Sequence, residues 1–151
     1  MRVFVIAQMI LVLTLSSSGA ENPFVGIWEL NVAKSKPDPS SSPVRTLAVK
    51  YVLDNGAVLK AWLTTDGAPS AHPTPYDGQE HEYGGTSALL PTHIVATAKG
   101  AILETHFKRD GKKVGTRKNT LSADGRLMTV ITEGTKPNGT KYRSVLVFEK
   151  Q

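Results

Sequence analysis

Left-handed turn chemistry sets the tightest limit on what this chain can fold into. Asp54-Asn55-Gly56, Asp66-Gly67, Asp77-Gly78, Asp110-Gly111, Asp124-Gly125 and Asn138-Gly139 each place a glycine after Asp or Asn. Those side chains tolerate a left-handed backbone and glycine adopts it freely, so each pair predicts a hairpin turn. Between them lie β-rich runs over 25–32, 44–53, 57–65, 93–97, 101–108, 113–122, 126–133 and 140–149, with a further one near 70–83 broken by prolines. Short strands joined by tight turns pair with their sequence neighbours. The fold predicted is all-β: an antiparallel up-and-down β-barrel of about eight strands.

Period-two alternation supports the strands. Leu47, Val49, Tyr51 and Leu53 alternate with Thr46, Lys50 and Asp54, and Leu103, Thr105 and Phe107 alternate with Glu104, His106 and Lys108. Such runs make a wall with one dry and one wet face. No segment keeps a helical apolar stripe. Two stretches break the pattern: 34–43, with three prolines and four serines, and 68–75, with three more prolines. The second makes at best a sheet edge or a loop. Both are long enough to cover a barrel mouth as lids.

The first 20 residues read as an export signal. Met1-Arg2 is followed by an apolar run to Leu15, broken by Gln8, and then by Ser16-Ser17-Ser18-Gly19-Ala20. Small residues of that kind predict cleavage after Ala20 and a periplasmic or extracellular protein. Residues 21–151 then form one domain, too short for two cores. Removing Arg2 leaves 17 basic against 13 acidic residues. That mild positive bias suits weak contact with an anionic surface and does not by itself indicate nucleic acid. The absence of cysteine excludes thiolate catalysis, Cys-metal sites and a lipid-anchoring cysteine. No apolar run after Leu15 reaches a membrane span of roughly 20 residues.

Asn22-Pro23-Phe24-Val25-Gly26-Ile27-Trp28, with Ser122-Ala123-Asp124-Gly125-Arg126-Leu127-Met128-Thr129 later in the chain, resembles exported bacterial lipocalin-like (calycin) barrels. The ending Val147-Phe148-Glu149-Lys150 is similar to the last strand of the related fatty-acid-binding proteins. The resemblance implies that Trp28 plugs the base of the barrel with an Arg of the last strand, here Arg143, over its ring. Gly26 would allow the close approach. Fatty-acid-binding proteins place two short helices after the first strand, which the proline-rich 34–43 cannot form. They also hold a carboxylate with an Arg two residues before the last-strand aromatic, where this chain has Leu146.

The candidate cavity residues are Leu47, Val49, Tyr51, Trp62, Leu103 and Phe107. Trp62 lies on the face of 57–65 opposite Leu59, Ala61 and Leu63, and either lines the cavity or sits outside. The spacings of His72, His81, His93 and His106 match no zinc pattern, so no metal or cofactor is expected. There is no Gly-x-Ser-x-Gly and no catalytic residue is assigned. Asn138-Gly139-Thr140 matches a glycosylation acceptor of low specificity. The basic run Lys108-Arg109-Asp110-Gly111-Lys112-Lys113, followed by Arg117-Lys118, reads as a solvated hairpin tip, with anionic lipid or polysaccharide as the alternative partner. The function expected is non-catalytic binding of a small apolar or amphipathic molecule. The alternative is a filled barrel acting as a protein-interaction module, similar to periplasmic protease inhibitors with a short N-terminal arm.

Overall fold

The computed structural model describes residues 21–41, 45–83 and 91–151. The predicted export signal, residues 42–44 of the first proline-rich stretch and residues 84–90 lie outside them. The described chain contains eleven strands: β1 Gly26–Leu30, β2 Leu47–Asp54, β3 Val58–Thr65, β4 Ala68–Pro69, β5 Thr74–Pro75, β6 Asp77–Glu82, β7 His93–Lys99, β8 Ile102–Arg109, β9 Lys112–Leu121, β10 Leu127–Thr135 and β11 Lys141–Lys150. They form one antiparallel sheet in the order β4-β3-β2-β1-β11-β10-β9-β8-β7-β6, with β5 also paired to β3.

Eleven strands replace the eight or so expected, and the additional ones all fall between 68 and 83. Pro69, Pro73 and Pro75 remove ladder donors, so the chain pairs in fragments. Those fragments bring the ends of the sheet together. Thr74 and Pro75 pair with Ala61 and Lys60 of β3, and Tyr76 N–H donates to Leu59 O at 2.8 Å. The same chain then continues as β6, pairing with β7 from Asp77↔Thr97 to Glu82↔His93.

Turn geometry follows the side chains. Asn55, Asp66 and Asp110 adopt φ of 49°, 47° and 50°, each followed by a glycine at positive φ. Asp77-Gly78 departs from the expectation of a hairpin turn. It opens β6, where the register shifts between Asp77 and Glu80, and the left-handed glycine makes a bulge. The connection between β7 and β8 instead turns at Gly100, which no Asp or Asn precedes.

The base of the barrel is dry. Phe24, Trp28, Leu59, Leu103, Met128 and Phe148 have almost no exposed surface. The Trp28 indole N–H donates to Phe24 O at 2.8 Å. Lys150, not Arg143, covers the indole: its Nζ lies 5.4 Å from the ring and donates to Pro23 O at 3.1 Å. Register explains the exchange. Lys150 pairs directly with Trp28, whereas Arg143 is seven residues up β11, roughly 23 Å away. Arg143 also has the opposite side-chain parity and projects outside, 3.6 Å from Glu133. Gly26, at φ 130°, passes so close that a β-carbon there would stand 3.1 Å from Lys150 Cε.

Among the described residues, the only helical element before β2 is a 3₁₀ turn, Val32–Lys34. The chain then climbs the edge of β11 as a strap, where Lys36 exchanges backbone hydrogen bonds of 2.6 and 2.8 Å with Val145. No helix among the described residues is long and apolar enough to cross a membrane.

Candidate functional site

The upper half of the barrel holds a chamber of about 660 Å³ that opens at the strap end. Phe107, Val114, Tyr142 and Leu146 form its apolar walls, and Asp38, Ser40 and Ser41 of the strap stand at its rim. Beneath it is a smaller chamber of about 70 Å³, lined by Leu47, Val49, Tyr51, Tyr76, Asn119 and Phe148 among others. Arg117, Thr132 and Leu146 border both chambers and form a waist between them.

Strand pairing puts these groups level with one another. On the inward face Thr105, Arg117 and Thr132 form one cross-strand row, and Leu103, Asn119 and Val130 the row below. The row above carries Phe107, Gly115, Gly134 and Tyr142. The two glycines in that row leave a patch of bare backbone on which Tyr142 lies. A β-carbon on Gly134 would meet Val114 O at 2.5 Å and the Tyr142 hydroxyl at 2.8 Å.

Among the described residues, Arg117 is the one charged side chain at the waist. Its guanidinium lies 5.2 Å from the Phe107 ring centroid, and Nε donates to Thr132 Oγ1 at 3.4 Å. No carboxylate pairs with it among the described residues. Below it lie neutral polar groups: Asn119 Nδ2 donates to the Tyr51 hydroxyl at 2.8 Å, and the ring of Tyr51 packs against that of Tyr76 with centroids 6.1 Å apart. Burial pushes the phenol of Tyr51 well above its usual pKa and raises that of Tyr76, while the Arg117 charge pulls both the other way. At the rim, hydrogen bonds from Ser40 hold the Asp38 carboxyl below the ordinary carboxylate range.

The sequence-predicted residues divide between interior and exterior. Leu47, Val49 and Tyr51 line the lower chamber and Phe107 the upper one. Leu103 is buried in the core and borders neither. Trp62 stands on the outer face of β3, 39% exposed and paired with Lys50, because inward parity on that strand belongs to Leu59, Ala61 and Leu63. Arg117 and Asn119 went unrecognised, since a basic residue after a basic run reads as solvated. The available signal was the parity Gly115, Arg117, Asn119, Leu121 against Thr116, Lys118, Thr120.

The second proline-rich stretch borders a separate side cavity of about 530 Å³ between β3 and β6, with Leu63, His72, Tyr83 and Ile94 on its walls. His81 lies there too, its Nε2 held 2.9 Å from the Asp77 carboxylate. Among the described residues no three His, Asp or Glu side chains converge as metal ligands.

No known family profile matches the sequence, and no curated protein does. Solved structures are similar in fold. A single-substitution variant of the fluorescent protein UnaG superposes with a TM-score of 0.58 at 12% identity, covering 85% of this chain and 96% of that one. Zebrafish ileal bile acid-binding protein complexed with cholic acid gives a TM-score of 0.56 at 13% identity, over 85% and 99%. Wild-type UnaG gives 0.53 at 14%, over 85% and 97%. The chain has the fold of the calycin barrels, of the fatty-acid-binding-protein type.

Proposed function

We propose that this protein binds an amphipathic anion in the upper chamber and does not transform it. The carrying observation is Arg117: a cation at the waist of an apolar-walled chamber with no carboxylate partner among the described residues. Taking a guanidinium out of water without a counter-charge is costly, and a ligand's anionic group relieves that cost. The apolar body then rests against Phe107, Val114, Tyr142 and Leu146. That a neighbour in fold, at 13% identity, is a bile acid-binding protein complexed with cholic acid supports the reading.

Binding without chemistry is supported by the lining itself. Among the described residues no histidine borders either chamber, and burial raises the pKa of the deep tyrosines. The interaction-module alternative has less in its favour, because Phe24 of the would-be arm is fully buried and the upper barrel is not filled. We place the site of action outside the cytoplasm, after removal of residues 1–20, which the N-terminal sequence of the secreted protein would test.

The binding test is displacement of an anionic fluorescent fatty-acid probe by laurate and by dodecanol. Wild type should favour laurate, and Arg117→Leu should lose about tenfold or more in laurate affinity with dodecanol unaffected, as expected for a charge-assisted hydrogen bond. Equal laurate binding by wild type and variant sinks the assignment.

A further inference from the structure

Asn119 is a polar group in this interior that the anion alone does not use. Its side chain is buried, with 3% exposure, and borders the lower chamber. It follows Arg117 by two residues on the inward face of β9, a step of about 7 Å along the strand. Nδ2 donates to the Tyr51 hydroxyl at 2.8 Å and lies 3.7 Å from Met128 Sδ. Oδ1 receives no hydrogen bond among the described residues. Its cross-strand partners on this face are Leu103 and Val130, which have nothing to donate. An acceptor that faces a cavity and receives no protein donor is a place where a ligand donor of matching geometry gains affinity.

The geometry points to a two-point head-group site, in which Arg117 takes the negative charge and Asn119 Oδ1 takes a hydrogen-bond donor carried just beyond it. This rests on the anion-binding reading and narrows it. The ligands favoured are amphipathic anions whose head group also bears a hydroxyl, rather than carboxylates that offer none beside the charge. Size agrees with this division. The chamber of about 660 Å³ above the waist takes the apolar body, and the 70 Å³ below it suits one small polar group and no chain.

Calorimetric titration of the purified protein with N-lauroyl-serine and N-lauroyl-alanine tests the assignment, because the two share acyl chain and carboxylate and differ by one hydroxyl. The serine compound should bind about tenfold more tightly to wild type. Asn119→Leu should abolish the preference while leaving N-lauroyl-alanine binding in place. The wild-type comparison stands alone if that variant folds poorly. Equal affinities of wild type for both compounds, with laurate also bound, overturn the two-point site and leave the anion reading standing. Failure of all three to bind overturns both.

Discussion

Replacing Trp28 with alanine tests the base of the barrel, and its cost follows from the contacts. The side chain is completely buried. An aromatic of this size removes about 200 Å² from water, worth about 5 kcal/mol at roughly 25 cal/mol per Å², of which alanine keeps a small part. The indole hydrogen bond to Phe24 O contributes about 1 kcal/mol, and its loss leaves that carbonyl unmatched. Lys150 over the ring adds roughly 0.5 kcal/mol at its exposed position. Partial collapse of the site returns some of this, leaving an expected loss of about 4 kcal/mol, within the usual range for large aromatic truncations. In urea, with a slope of about 1.5 kcal/mol per molar, the midpoint should fall by more than 2 M. Far-UV circular dichroism is the appropriate signal, since Trp62 on the outer face would report little of the core. Trp28→Phe should fall between variant and wild type. A midpoint shift under about 0.5 M would refute the plug.

Two further outcomes follow from the barrel wall and its buried phenols. Gly134→Ala should cost about 2–3 kcal/mol, because its β-carbon overlaps Val114 O, and adding Tyr142→Ala should not restore stability since the closer clash is with backbone; full rescue in a urea titration would show that Tyr142 alone was displaced. Tyr51 and Tyr76 have folded pKa values above the ordinary phenol value, so their contribution is fully present below pH 10 and is lost as pH rises beyond it. Each should remove up to about 1.4 kcal/mol per pH unit while it stays neutral in the fold; urea midpoints at pH 10, 11 and 12 check the slope, which Tyr51→Phe should reduce and which, if flat, contradicts the burial.

How far the sequence could be read depended on whether the face that was dry was also apolar. Val49, Tyr51, Leu103 and Phe107 each have a charged neighbour (Lys50, Glu104 or Lys108), so their inward parity was legible in the sequence. On β9 the inward face is Gly115, Arg117, Asn119 and Leu121, and polarity alone cannot tell that face from the outer one. Arg117 and Asn119 escape such a reading because a cavity wall can carry polar groups where a core carries apolar ones. Trp62 shows the converse, a large aromatic on the outer wall. The misassigned cation over Trp28 has a different origin. Both Arg143 and Lys150 lie on β11, and the register of β1 against β11 is a long-range property that no local pattern carries. Likewise Asp77-Gly78 has turn chemistry, and only the neighbouring β7 converts it from a hairpin into a bulge.

On the proposed reading, the interior separates stability from recognition along the barrel axis. Apolar side chains seal the base, where Phe24, Trp28, Leu59, Met128 and Phe148 belong to one buried cluster. At the waist the Arg117 guanidinium has no carboxylate partner among the described residues, and above it the chamber is open, both of which cost folding free energy in the absence of ligand. A marginally stable domain tolerates that cost only if another part of the core offsets it. Substitutions at the base should therefore shift the unfolding midpoint at nearly constant ligand affinity. At the waist the converse holds: replacing Arg117 by Leu relieves the burial of a charge, so the variant should lose ligand and be at least as stable as the wild-type apo protein. A variant that lost both together would mean that Arg117 is held by the fold rather than for the ligand.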